Sequence, residues 1–409
     1  MNKEKILLFI LACIQFTNIM DFMIMMPLGP QLMRIFNINP QEFSIIVSSY
    51  TISAGIFGFL GAFFIDKFDR KNALLYIYIG FTVGTFACAI APTYHLLLIA
   101  RILTGMFGGV LGALVLSIIG DAIPLDRRAT AMGFVMAAFS FASVIGVPFG
   151  LLLATSFSWH MPFFLLSFLG LIVTLLIYMY IPNMKDHLVK KKAGENPFTF
   201  LINIANNGNQ VRALLLMVCL MISQFSYISL LSPYLVANVG FTEHDLTYIY
   251  LIGGAVTIFT SPLVGKLADK FGRTKVFIVF STLAIIPLLI ITNLGTTPIF
   301  LVVIITTFNF VFISGRMIPG STMITATVLP QNRGGFMSIN SSVQQLSSGL
   351  AAFLAGIMVH KSSSGLWENY NYVGYMALVA SIIAIGLSTT IKAIDNKGKP
   401  ATEPVIENV

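Results

Sequence analysis

Charge is what this sequence lacks most. Asp, Glu, Lys and Arg make up 10% of its 409 residues, whereas a soluble chain carries about 25%. Apolar residues reach 56%, above the ~45–50% of a soluble domain. A water-soluble globule cannot hide that excess, so the surrounding solvent must be lipid. Cysteine is scarce as well. Cys13, Cys88 and Cys219 stand far apart without ligand spacing and read as small core residues, not as a disulfide or metal site. His95, His160, His187, His244 and His360 fall near the ends of apolar runs or in loops, so no metal is expected. The sequence holds no Gly-Lys-Ser/Thr phosphate loop, and its polar loops are too short for a nucleotide-binding domain. Any work must draw on an ion gradient, most simply protons, with no cofactor.

What is present is a series of long apolar runs. A helix crosses the hydrocarbon with ~20 apolar residues. Twelve runs approach or exceed that length: 5–27, 43–65, 72–91, 95–119, 129–155, 161–182, 212–236, 246–268, 275–293, 298–325, 335–359 and 370–393. They are too long for barrel strands and lack a period of two. In lipid the backbone must satisfy its own polar groups, so they are predicted to be helices. The basic opening and first apolar run could pass for a signal peptide. No small-x-small cleavage site follows, and polarity returns as "TNIMD" within the run, so it reads as a retained first span.

Net charge is +8, yet the placement of the cations argues against a nucleic-acid partner. Of the 24 Lys and Arg, Arg34 and Lys361 lie in loops of one face and Arg101 and Arg316 within runs; the other twenty share the face of the termini. This positive-inside bias predicts cytoplasmic termini.

The runs fall into two sets of six. "GKLADKFGRTK" begins at Gly265 and carries five charges in eleven residues; a near-echo, "GAFFIDKFDRK", begins at Gly61. Asp66 and Asp269 are 203 residues apart, and "PLDRR" at Pro124 and "PQNRG" at Pro330 are 206 apart. The chain therefore reads as an all-α integral membrane protein of two pseudo-symmetric halves. The first half is 1–182 and the second 212–393, joined by the loop 183–211 and followed by a tail, 394–409. Within the loop, "ENPFTFLINIA" reads either as a short interfacial helix or as solvated linker. Paired halves are a recurrent plan of secondary transporters, with substrate held between them near mid-membrane.

Six-plus-six spans with a charged phrase in both the second–third and eighth–ninth loops resemble the major facilitator superfamily. The family phrase is Gly, three residues, then Asp-Arg/Lys-x-Gly-Arg. Gly265, Asp269, Lys270, Gly272 and Arg273 match it. The first copy keeps Asp66, Lys67, Arg70 and Lys71, but Asp69 replaces the second Gly and Gly61 stands one residue early. Glycine allows close approach of helix ends. The resemblance implies that these charges latch the halves together on the cytoplasmic face in the outward-open state; a simple topology anchor explains the same residues.

Ionisable residues within lipid are costly and functional by default. Asp21 is the only acid well inside a run. Thr17 and Asn18 share its helix face at i−4 and i−3, and Gln15 extends the polar strip inward. "NIMDFMIMMPLGP" resembles the first span of multidrug and sugar-efflux members. Arg101, in "RILTGMFGG", matches the family's Arg-x-x-x-Gly pattern with Gly105, although Phe107 holds the place of its second Gly. Asp21 and Arg101 stand at similar depth, and the family sets spans 1 and 4 side by side. Burial disfavours a carboxylate and a guanidinium favours it, a balance suited to proton exchange; a static pair orienting two helices is the other reading. In "ASVIGVPFG", Ala142, Gly146 and Gly150 form a small-residue stripe with Pro148 beside it. It resembles the efflux families' antiporter motif, and generic packing explains it too.

The second half has no acid within a span. It offers Gln224, Tyr227 and Tyr234 on the seventh span, Asn309 and Arg316 on the tenth, and Asn340 and Gln344 on the eleventh. Few polar groups among many aromatics suit an amphiphilic ligand. The expected activity is proton-coupled efflux antiport of small amphiphiles (drugs, sugars or related metabolites) by a monomer in the bilayer. Proton symport for nutrient uptake is the nearest alternative. A multi-span enzyme or transport-dead sensor is the more distant one, because it should show acid, His or metal-ligand clusters at a membrane face.

Overall fold

The computed structural model describes residues 3–184, 197–329, 332–363 and 365–394. Most of the Lys-rich loop and the tail after 394 lie outside the described residues. The first half comprises α1 Lys3–Ile24, α2 Gly29–Phe36, α3 Pro40–Phe64, α4 Arg70–Ala89, α5 Tyr94–Ala122, α6 Leu125–Phe141, α7 Val147–Ser156 and α8 Met161–Tyr180. A short α9, Pro197–Asn206, covers most of the loop segment with helix potential. The second half comprises α10 Gly208–Tyr234, α11 Asp245–Phe271, α12 Arg273–Thr292, α13 Ile299–Thr325, α14 Arg333–Met358 and α15 Tyr370–Thr390. Between α14 and α15 lies a two-strand hairpin, β1 His360–Lys361 and β2 Trp367–Glu368.

Eleven of the described helices are long and apolar enough to cross a membrane. α14 has the length but carries Asn340, Gln344, Gln345 and five serines; it is sheltered between α3 and α10. The outer surface is what lipid requires: Tyr76, Phe157 and Phe259 are 72%, 73% and 74% exposed, an arrangement water would not tolerate over a whole perimeter.

The first helix ends at Ile24 rather than at the expected 27. A buried turn, Met25–Leu28, follows it, and α2 starts beside Pro30. Asn37 closes α2 with φ 51°. A capping box opens α3: Glu42 N donates to Asn39 Oδ1 at 2.9 Å and Asn39 N to Glu42 Oε2 at 2.8 Å, which satisfies two otherwise orphaned donors. The α6–α7 span is interrupted by a π-turn at Ala142–Gly146, with Val147 N bonding to Ala142 O. Pro148 has no N–H to give to the carbonyl four residues back, and the ladder slips by one there.

Apolar cores show how the halves meet. One continuous core joins both halves at the face opposite the termini, from Ile24, Leu32 and Phe43 to Tyr234, Leu246 and Trp367. At the basic face the cores are separate: Leu11, Tyr78, Ile118 and Ile177 in the first half, and Leu216, Phe277, Ile324 and Phe336 in the second. The halves also touch along α3–α14, where Gly55 abuts Leu346, and between Gly254 of α11 and Val144 of the π-turn. Arg34 and Glu243 bridge the halves at the rim of the joined face, 2.6 Å apart. The molecule is thus closed on the face away from the termini.

Within the first half, α3 and α5 approach at Gly105 and Gly109. A Cβ at Gly109 would collide with the Ala54 carbonyl, whereas one at Gly112 would meet no described atom within 4 Å. Gly109→Ala is expected to lower stability by ~1–3 kcal/mol or more, and Gly112→Ala to leave it unchanged or raise it by up to ~1 kcal/mol, the helix-propensity gain of Ala over Gly. Thermal unfolding of the two purified variants checks this, and equal midpoints would refute it.

Candidate functional site

Asp21 and Arg101 come together. Both are 0% exposed. Arg101 Nη1 donates to Asp21 Oδ2 at 2.7 Å and to the Asp21 carbonyl at 3.4 Å. Thr85 Oγ1 donates to Asp21 Oδ1 at 3.2 Å. The pair is single-pronged, because Arg101 Nε and Nη2 are buried without hydrogen-bond partners. The face of the guanidinium is covered instead by the Tyr50 ring, 4.3 Å from Cζ to centroid, a cation–π contact worth most in a desolvated site. Tyr50 OH donates to Asn18 Oδ1 at 2.8 Å, and Asn18 Nδ2 donates to the Gly108 carbonyl at 3.3 Å. Gly105 lets the α5 backbone reach that of Tyr50. The expected strip Thr17–Asn18–Asp21 is one helix face, and it turns into the first half's own bundle.

That orientation changes the list of ligand candidates. Thr17 Oγ1 lies 3.0 Å from Tyr78 OH, and both hydrogen-bonding atoms of Asn18 are occupied. Tyr227 OH donates to Asn309 Oδ1 at 2.8 Å, and Tyr234 OH donates to the Leu294 carbonyl at 2.6 Å while stacking on Tyr370. These groups act within their own halves. By contrast Gln15 Oε1, Gln224 Oε1 and Asn340 Oδ1 are buried and unpartnered. A buried polar atom left so calls for an explanation, and a bound ligand supplies one. Gln15 shares a face with Phe22 two turns on. The Phe22 ring contacts Phe225, next to Gln224 in the other half, at 5.7 Å. Phe22 and Phe225 thus meet at the seam, with Gln15 two turns before Phe22 and Gln224 next in sequence to Phe225. Gln344 of α14 is half-buried.

A short aromatic relay connects the seam to the ion pair. Phe22 stacks on Tyr50 at 5.6 Å, and Tyr50 covers Arg101. Sequence reading missed both Tyr50 and Thr85. Neither carries a charge or a motif; the one hint was the Gly105 pattern, which marks a close backbone approach.

The charged phrases occupy the basic-face turns. Arg70 Nε pairs with Asp121 at 3.0 Å, and Lys71 Nζ donates to the Tyr178 carbonyl at 2.9 Å, all within the first half. Asp69, read as a departure from the family phrase, has its own function: its Oδ1 accepts from Lys71 N and Met184 N, capping α4 and tying the loop end to it. The side chain of Asp66 lies outside the described residues. Gly272 has φ 92°, a conformation that favours glycine. The close packing expected at Gly265 is absent: a Cβ there would meet no described atom within 4 Å, as follows when the halves are apart on this face. Gly61, by contrast, packs on Val110. Asp269 and Lys270 are exposed, and Lys270 Nζ lies 5.3 Å from the Phe271 ring. In the Ala142–Gly150 stripe, Gly146 and Gly150 admit Met20 and Ile24 of α1.

Comparison with known proteins places this geometry. The sequence profile of the Major Facilitator Superfamily matches residues 11–209 and 213–407. The uncharacterized MFS-type transporter YceJ of Bacillus subtilis (strain 168) is 24% identical over 389 residues, covering 93% of this chain and 94% of that protein. Multidrug resistance protein 2 of the same organism is 23% identical, with 97% of each chain covered. Among solved structures, a D-xylose-proton symporter superposes with a TM-score of 0.78 at 16% identity, over 97% of this chain and 99% of that one. The two matched segments, one per half, and the paired charged turns agree: the chain belongs to the Major Facilitator Superfamily, a family of membrane transporters.

Proposed function

We propose that the protein is a proton-coupled antiporter that exports small amphiphilic molecules by alternating access, as a monomer in the inner membrane with cytoplasmic termini. The proton gradient is its energy source. The observation that carries this reading is the Asp21–Arg101 pair, sealed in one half and linked through Tyr50 and Phe22 to the seam. Protonating Asp21 removes the charge that holds Arg101 Nη1, and Arg101 then relies on the Tyr50 ring. That ring touches Phe22, whose partner Phe225 belongs to the other half, so a proton event has a direct mechanical neighbour at the interface. Gln15, Gln224 and Asn340 offer the substrate hydrogen-bond acceptors among aromatics. With the basic face cytoplasmic, the closed opposite face makes this an inward-open state.

Export is favoured over uptake by the stripe packed on α1 and by the similarity to a multidrug resistance protein. Everted vesicles test the direction. ATP-driven acidification should drive a ligand found by thermal-shift screening into them; ligand leaving together with protons would establish symport instead.

The charged turns give a further expectation. Asp269→Asn should shift the resting population toward the open basic face, and Asp66→Asn should do so less, because the second phrase matches the family pattern in full. Distances between spin labels on the basic-face ends of α4 and α12 report this. Unchanged distances in Asp269→Asn, or a larger change in Asp66→Asn, would remove the latch role.

A further inference from the structure

Arg316 on α13 is the second guanidinium within a span, and its surroundings differ in kind from those of Arg101. It is 2% exposed. Its Nη1 donates to Ser223 Oγ of α10 at 2.9 Å and to Ser381 Oγ of α15 at 3.3 Å. Its Nε is occluded without a partner. Asp21, the only acid well inside a span, is already bound to Arg101 in the other half, and no carboxylate of the described residues pairs with Arg316. Two hydroxyls share its positive charge without opposing it, and a buried charge lacking a counter-charge is costly. Seven residues earlier on the same face, Asn309 has its Oδ1 filled by Tyr227 and its Nδ2 unpartnered. Both orphans are N–H donors. A site with surplus donors and a surplus positive charge is complementary to an anion.

The site lies next to the seam along α10. One turn of α10 carries Ser223, which bonds to Arg316, and Phe225, which meets Phe22 of the other half. Gln224, with its unpartnered carbonyl oxygen, lies between them.

We infer that the α10–α13–α15 core binds an anionic group as the counter-charge of Arg316: the carboxylate of a transported amphiphile, or a chloride ion. The carboxylate source rests on the export reading above; the anion site does not. The probes are 1-naphthoate, its neutral counterpart 1-naphthamide, and sodium chloride against sodium methanesulfonate, whose bulkier anion carries no carboxylate. Unfolding temperature of the purified full-length protein is the readout, repeated in the double variant Asp21→Asn/Arg101→Ala, which removes the proton-coupling pair without leaving a second unpaired guanidinium, so that a failure of proton coupling is seen separately from a failure of anion binding. Naphthoate should stabilise the wild type and naphthamide should not. Chloride that stabilises and competes with naphthoate identifies the ion as an occupant; chloride without effect assigns the site to carboxylates. Arg316→Gln should weaken the response at least about tenfold, the order of a lost charged hydrogen bond. Ser381→Asp supplies an internal carboxylate, so it should raise the unfolding temperature without added anion and abolish the response to it. This variant decides the matter even where Arg316→Gln does not fold. A wild type insensitive to both anions, or an undiminished response in Ser381→Asp, overturns the site.

Discussion

Asp21→Asn is expected to stop proton-coupled transport while leaving a folded protein. Asparagine has the same size and keeps Oδ1, which can still accept from Arg101 Nη1 or from Thr85, now 2.7 Å and 3.2 Å from the two carboxylate oxygens. What it loses is the ability to take up a proton. Ligand-driven proton release from detergent-solubilised protein should therefore fall to background, and gradient-driven flux should fall with it. Ligand binding should persist, because no direct ligand contact is assigned to Asp21. Release and flux at wild-type levels in the variant would take Asp21 out of the mechanism and leave the pair as a helix-orienting contact.

Arg101→Ala should be the most destabilising change in the first half. It strands a fully buried carboxylate, and breaking a buried pair costs ~3–5 kcal/mol if the remaining charge persists. It also removes the cation from over the Tyr50 ring, 4.3 Å away. The double variant Asp21→Asn/Arg101→Ala should recover most of that loss, because no unpaired charge then remains. Arg101→Lys should recover part, as an ammonium can meet one carboxylate oxygen but cannot lie flat on Tyr50. Chemical or thermal unfolding of the wild type, Asp21→Asn, Arg101→Ala and the double variant measures the coupling, with Arg101→Lys read beside them. Effects that simply add in the double variant would show that the two side chains do not interact as described.

The sequence was informative about what sits in lipid and at what depth. Run length matched twelve spans to helices, eleven of them apolar enough to cross a membrane and the twelfth the polar-rich α14, with ends shifted by a few residues where a cap or turn intervened, as at Ile24 and Asn39. The rarity of charge singled out Asp21, Arg101 and Arg316, because each is expensive in a membrane. Azimuth was not legible. Thr17 and Asn18 share the Asp21 face, but which neighbour that face meets depends on how α1 is rotated against α4 and α5. Period alone does not tell a seam from a bundle interior. For the same reason Tyr50 and Thr85 were invisible: an uncharged residue on a neighbouring helix is recruited by packing. Asp69 looked like damage to a motif because the motif describes a turn with glycine, whereas a capping carboxylate ends the turn by another means.

The two faces are built from different materials, and this has thermal and ionic consequences. The joined face is held by an apolar core with one ion pair at its rim, while the turns that would have to meet on the basic face are charged. Apolar association weakens on cooling, and contacts between exposed charges fade with salt, the Debye length falling from ~10 Å at 0.1 M to ~3 Å at 1 M. Warmth and high ionic strength should thus both favour the arrangement described here, and cold, dilute buffer its alternative. The resting conformation would then be set by the solution as well as by the ligand, so proteins handled on ice and at growth temperature need not start their cycle from the same side.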